Sequence, residues 1–283
     1  MTRALRNLMF SAIFAAALFG GAELILRILG WPDPGIYAGD PGSLWWLRPD
    51  LPPRALPFPE GGAEFTVRTN RLGYRGPDPV EGAWVCLGDS TTFGWGVEED
   101  EAWPARLAVA LGRPVQNAGV PGYTSHQGLL TLENALSAHP ERVLIAYLVR
   151  DADPAHAPDH SRAPRRAPDL RLLTALRLLR PKPQGQAAAA PAGPTTRVPA
   201  DRYLTNLRAL KARAEAAGAE VTVVAFPMLR RPEAHLAALQ TLSAEAQVLL
   251  PDLPSTAFFA EDPIHLTAEG HEALARQLAE ALR

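Results

Sequence analysis

Two patterns of apolar residues divide the chain. The first is a nearly unbroken run. Leu8 to Ala22 carries no charge, Glu23 interrupts, and Leu24-Ile25-Leu26 and Ile28-Leu29 resume on either side of Arg27. The second begins at residue 83, where short apolar runs alternate with segments of helical period. Runs at 83–87, 114–117, 142–149, 220–226 and 247–250 fit strands. Segments at 103–111, 125–137 and 200–216, one from about Pro232 and a last one from Thr267 fit helices. Strands alternating with helices predict an α/β fold with a largely parallel sheet covered on both faces.

Between and within these regions lie stretches that keep neither pattern. Residues 31–62 are rich in Pro, Gly and Trp (WPDPGIYAGDPGSLWWLRPDLPP) and predict an irregular, packed-down connector. Residues 63–69 alternate like a strand and 70–73 supply a turn, which gives the connector a short hairpin. Residues 151–199 interrupt the α/β rhythm with Arg, Pro and Ala, and 185–196 is of low complexity. Within this insertion, 169–180 spaces Leu170, Leu173 and Leu176, and less regularly Leu172, Leu178 and Leu179, along an amphipathic helix. Such a helix packs on the domain with its arginines exposed, touches a membrane or covers an active site. The expected organisation is an N-terminal segment 1–30, a connector 31–82 and a domain 83–283 with its insertion at 151–199.

As a helix, 8–22 spans only roughly 22 Å, and the run extended to Gly30 roughly 34 Å, enough for a hydrocarbon layer of ~30 Å. Arg3 and Arg6 precede the run and hold that end in the cytoplasm, so the rest of the chain faces away from it. A single-pass anchor is the expectation. The alternatives are a signal peptide cut near Gly20-Gly21-Ala22, which leaves a secreted or periplasmic protein, and a helix of the mature domain.

Composition narrows the function. The 283 residues are 47% hydrophobic, which excludes wholesale disorder, and the net charge of −2 argues against a nucleic-acid partner. One cysteine, Cys86, excludes an intramolecular disulfide framework and a cysteine zinc cage. Nothing in the sequence sets the oligomeric state.

The candidate chemistry gathers at the strand ends. Ser90 follows the first strand of the α/β region, at the edge where open sheets bind ligands. Taken alone, Gly88-Asp89-Ser90 reads better as a Ser/Thr-rich turn that satisfies loose backbone groups. Asp262 and His265 stand in the loop between the last strand and the last helix. A serine hydroxyl needs a neighbouring base, histidine is that base, and a carboxylate fixes its tautomer. Asn117 to Gly122 follow the second strand and Arg150 ends the third, so all these groups emerge at one edge. Asp89 reads as a structural hydrogen-bonding residue, His126 as a pocket residue or the start of a helix, and His271 as exposed on the last helix. His156, Asp159 and His160 have metal-like spacing, but Pro154 and Pro158 make a solvated loop the better reading. Gly88, Gly94 and Gly96 make no dinucleotide fingerprint.

From residue 83 to the C-terminus, apart from the insertion, the chain resembles the SGNH/GDSL hydrolase superfamily. VCLGDSTTFGWG (85–96) is similar to its first block, NAGVPGYTSHQGL (117–129) to its second and DPIH (262–265) to its last. The resemblance implies a three-layer α/β/α sandwich with a mainly parallel, flavodoxin-like sheet, and no metal or organic cofactor. It implies Ser90 as nucleophile, Asp262 and His265 as its partners, and backbone N–H groups of Ser90 and Gly122 in an oxyanion hole. The helix ending ELILRILG and FTVRTNRLGYRG (65–76) resemble membrane-anchored bacterial members. One position departs from the family: Arg150 stands where the third block has the asparagine that donates to the oxyanion. Arginine offers donors too, but it is longer and always charged. The expectation is a serine esterase acting outside the cytoplasm on acyl or acetyl esters of an envelope glycan or lipid. The alternatives are an O-acyltransferase with the same triad and a catalytically weakened binding module.

Overall fold

The computed structural model describes residues 2–33, 35–40, 43–58, 64–161, 170–179, 193–229 and 231–283. It opens with helix α1 (Arg3–Ile28), which buries none of its residues. α1 is long and apolar enough to cross a membrane. The connector then forms two small antiparallel pairs, β1 (Tyr37–Asp40) with β2 (Leu44–Leu47) and β3 (Arg54–Leu56) with β4 (Phe65–Val67). The turn expected at 70–73 is present. Asn70 Oδ1 accepts from the amides of Leu72 and Tyr74, at 2.9 and 3.1 Å, and folds the chain back.

The remainder alternates as the apolar pattern predicts: β5 (Trp84–Gly88), α2 (Ser90–Phe93), α3 (Trp103–Leu111), β6 (Val115–Gly119), α4 (Ser125–Leu136) and β7 (Arg142–Ala146). The insertion contributes β8 (Pro154–Ala155), α5 (Arg171–Leu178) and β9 (Thr195–Thr196). There follow α6 (Ala200–Ala216), β10 (Glu220–Val224), α7 (Glu233–Leu242), β11 (Gln247–Leu249), β12 (Phe258–Phe259), β13 (Asp262–Leu266) and α8 (Ala268–Leu282).

Five strands form one parallel sheet in the order β11-β10-β7-β5-β6. In chain order this is the doubly wound arrangement 2-1-3-4-5, whose switch point lies beside the first strand. The alternation inside β5 shows why both faces are covered. Val85 and Leu87 enter a core with Leu132, Leu207 and Leu210 from α4 and α6, while Trp84 and Cys86 enter a second core with Leu107, Leu274 and Leu278 from α3 and α8. The result is a three-layer α/β/α sandwich.

Some boundaries differ from the apolar runs. RVLIAYLV stops being a strand at Ala146, whose partner is Gly88, the last residue of β5. Beyond it no neighbouring strand offers a ladder, and Tyr147 to Val149 stay buried in loop conformation. His271 is not exposed on α8. It is 1% accessible, and its Nδ1 accepts the Trp103 amide at 3.2 Å where α3 crosses α8. Burial pushes this imidazole down to about 3, so it stays neutral.

The insertion is tied to the sandwich at its base. β8 pairs with β9, and Asp159 turns inward onto Arg197 at 2.7 Å, with Thr124 and Gln127 as further donors. The solvated-loop reading of Asp159 is therefore corrected: a buried carboxylate needs such partners. The low-complexity residues 185–192 lie outside the described residues.

Candidate active site

The end of β5 delivers Ser90 through a tight turn. Asp89 caps α2, its Oδ1 accepting from the Thr91 amide at 2.8 Å and the Thr91 hydroxyl at 2.7 Å, which is the structural role expected of it. Gly88 leaves no room for a side chain, because a Cβ there would stand 2.0 Å from Thr92 Oγ1. Ser90 is the first residue of α2, with no intervening loop, and its hydroxyl points into a cleft of about 310 Å³.

Asp262 and His265 are brought to the same cleft by a hairpin rather than by a loop. They lie on β13, which pairs antiparallel with β12 just before α8. The Asp262 carboxylate bonds His265 Nδ1 and accepts the Ile264 amide at 2.9 Å and the His265 amide at 3.3 Å. Burial alone would raise Asp262, but the bonds from His265 and the two amides outweigh it and hold the carboxyl below its ordinary value. His265 Nε2 meets Ser90 Oγ at 2.8 Å. A hydroxyl, an imidazole and a carboxylate thus stand in hydrogen-bonded sequence across 175 residues of chain.

Gly122 and Arg150 line the same cleft with Ser90, Asp262 and His265. Gly122 has φ +82°, a conformation that favours glycine. Arg150 Nη1 bonds Asp153 at 3.1 Å, while its Nε is buried without a partner. Burial opposes the charge of Arg150, but Asp89, Asp153 and Asp262 outweigh it and raise the guanidinium above its ordinary value. Asn117, read with the second block, stays inside β6 and supports the nucleophile turn from behind, donating to the Phe93 carbonyl at 3.1 Å. His126 lies in α4 against His160, with ring centroids 6.4 Å apart, and not in the Ser90 cleft. Among the described residues no group of three or more His, Cys, Asp and Glu could hold a metal ion.

The connector supplies a wall that no motif pointed to: Tyr37 of β1 lines the cleft, together with Trp95 from the first block. Burial pushes the Tyr37 hydroxyl up to about 12, against the pull of the Arg150 charge. The ring of Phe58 stands edge-on to His265 at 6.5 Å. Trp45 packs beneath Gly122, where a Cβ would come within 3.1 Å of its Cζ2. Arg75, from FTVRTNRLGYRG, is buried behind the nucleophile turn. It donates to the carbonyls of Phe93 and Gly94 at 2.9 and 2.7 Å, and to those of Thr66 and Val97 at 2.8 and 2.7 Å. The Trp-rich composition of 31–62 and the arginine in that segment were the available signals, but neither says what the side chains touch.

The profile of the GDSL-like Lipase/Acylhydrolase family matches residues 86–273. No curated protein matches the chain significantly. Among solved structures, TesA superposes with a TM-score of 0.50 at 19% identity, over 71% of this chain and 98% of its own. The psychrotrophic esterase EstA from Pseudoalteromonas sp. gives 0.48 at 18% identity, over 71% and 97%. Axe2, an acetylxylan esterase from Geobacillus stearothermophilus, gives 0.47 at 15% identity, over 71% and 94%. At 19% identity the likeness to TesA is one of fold.

Proposed function

Because the chain belongs to the GDSL-like lipase/acylhydrolase family, whose members hydrolyse esters, we propose that it is a serine esterase in which Ser90, His265 and Asp262 act as a triad. The observation that carries this reading is the 2.8 Å bond from Ser90 Oγ to His265 Nε2, on a ring whose Nδ1 is held by Asp262. His265 takes the Ser90 proton as Oγ attacks the ester carbonyl carbon. The carbonyl oxygen becomes an oxyanion, held by the backbone N–H groups of Ser90 and Gly122 and by the Arg150 guanidinium. His265 then gives its proton to the leaving alcohol. Water, deprotonated by His265, attacks the acyl-enzyme, and the carboxylic acid leaves with Ser90 restored. A sugar hydroxyl in place of water would make the same machinery a transferase.

The location we propose rests on α1. A 26-residue helix with no buried residue, which opens with Arg3 and Arg6, serves as a single-pass anchor with the hydrolase domain on the non-cytoplasmic side of a bacterial membrane. Acyl or acetyl esters of envelope glycans or lipids are the substrates within its reach.

The test is hydrolysis of p-nitrophenyl acetate by the full chain in detergent micelles, beside Ser90→Ala. Turnover in the first and background in the second is the expected result. Equal background rates in two folded proteins would overturn the esterase reading and favour a binding module with a degenerate oxyanion hole.

A further inference from the structure

Glu23 is the one carboxylate in an otherwise apolar helix, and an isolated carboxylate there is costly in a bilayer. In this fold it is fully engaged. Its Oε1 accepts from Arg27 Nε at 2.7 Å and from the Arg171 amide at 3.0 Å, and its Oε2 accepts from the Leu172 amide at 2.9 Å. Arg171 and Leu172 are the first two residues of α5, so Glu23 satisfies amide groups that a helix start leaves without intrahelical partners. Arg171 also donates to the carbonyls of Gly30, at 3.0 Å, and Pro32, which close α1. The insertion helix is therefore docked on the anchor.

The position of that docking sets its surroundings. Glu23 lies five residues before Ile28, which places α5 about 7.5 Å inside the end of α1 at 1.5 Å per residue. Amphipathic helices lie about 5–10 Å into the boundary between headgroups and acyl chains. Ala175 is buried as α5 packs on α1. Beside it on the helical wheel, Leu172, Leu173, Leu176 and Leu179 share one sector, and Leu176 and Leu179 are 49% and 76% exposed. At the end of α1, on which α5 packs, Ile25, Ile28 and the capping residue Leu29 are also exposed.

We propose that α5 is a second membrane contact: an interfacial helix, clipped to the anchor by Glu23, whose leucines enter the bilayer on the side where the hydrolase domain sits. This rests on the reading of α1 as a retained anchor. Two elements then hold the domain against the membrane in a set orientation, with the connector that walls the Ser90 cleft leading directly out of the lipid.

The experiment uses the full chain in vesicles of phosphatidylethanolamine and phosphatidylglycerol, with nitroxide labels at Leu176→Cys, Phe14→Cys and Val109→Cys. Cys86 is buried and stays unlabelled. Relaxation by oxygen and by a soluble nickel complex separates lipid, water and protein interior. The expected result is that Leu176→Cys and Phe14→Cys respond to oxygen and are shielded from nickel, while Val109→Cys responds to nickel. Adding Glu23→Ala should raise the nickel response at position 176 severalfold and leave Phe14→Cys and ester turnover unchanged. A nickel response at 176 with Phe14→Cys in lipid would overturn the proposal and leave the anchor standing. Shielding at 176 from both reagents would overturn it in favour of a protein partner. A nickel response at Phe14→Cys would overturn the anchor reading itself, and the proposal with it.

Discussion

The indole N–H of Trp45 donates to the carbonyl of Pro121 at 3.1 Å. The bond ties the connector to the residue before Gly122, and the same indole underlies Gly122 itself. Trp45 also meets Tyr123 edge-on at 5.7 Å, and the Tyr123 hydroxyl donates to the Trp45 carbonyl at 2.6 Å and lies 3.0 Å from the Ser43 hydroxyl. A segment outside the matched family region thus holds the loop whose amide is assigned to the oxyanion.

Trp45 acts through Gly122, so its loss should appear in kcat. Trp45→Ala is expected to lower kcat by about 10- to 100-fold with KM little changed, the scale of a slight misplacement in an active site. Trp45→Phe keeps the ring without the donor and should fall between. A fall in Tm with kcat intact would make the contact merely structural.

Arg150→Ala should cost about 10²- to 10³-fold in kcat on p-nitrophenyl acetate if the guanidinium holds the oxyanion. Arg150→Asn should recover part of that loss. An Arg150→Asn enzyme faster than the natural one by orders of magnitude would show instead that the arginine impairs the hole.

Asp262→Asn leaves the hydrogen-bonding shape but favours the wrong imidazole tautomer, and should lower kcat by about 10⁴-fold. The same variant should bind a non-hydrolysable ester analogue nearly as well as the natural enzyme. Equal turnover by the two proteins would remove Asp262 from the proposed triad.

Asp151 gives a pH dependence to stability. Burial pushes its carboxyl up to about 8, despite the Ser125 hydroxyl and amide and the Arg197 charge, which pull it down. The unfolded chain releases that proton near pH 4, at about 3.9. Between about pH 4 and 8 the unfolded state therefore binds fewer protons, and stability contributed by this group falls as pH rises, by at most about 1.4 kcal/mol per pH unit. Asp151→Asn should flatten the decline in urea midpoints between pH 5 and pH 8. A slope unchanged by the substitution would show that Asp151 is ionised throughout.

Arg75 should prove costly to change. Burial pushes its guanidinium down to about 10, although Glu98, Glu99, Asp100 and Glu101 oppose the shift. Arg75→Lys keeps the charge but cannot bridge four carbonyls in one plane. Orphaned buried carbonyls cost about 1–3 kcal/mol each, so a loss of roughly 3 kcal/mol or more is expected in urea unfolding.

Much of this protein is written in local order. The parallel sheet was legible because Trp84 to Gly88 and Val143 to Ala146 are apolar at every position, which only burial on both faces accommodates. Ser90, Gly122, Asp262 and His265 were legible as candidates because each stands in a short block with a recognisable neighbour pattern. The apolar run of α1 needed only its length and composition. Contacts between distant segments were different. Nothing in the periodicity of Ala268–Leu282 told His271 to turn inward onto Trp103, because the face a helix buries depends on what is packed against it. Glu23 read as a flaw in an apolar run until the fold set the amides of Arg171 and Leu172 against it. Trp45, Tyr37 and Arg75 gained their places at the cleft in the same way. A sequence by itself determines periods, turns and reactive groups, because these depend on neighbours along the chain. Only the tertiary structure decides which side chain completes another's hydrogen bonds, because that depends on segments brought together when the chain packs.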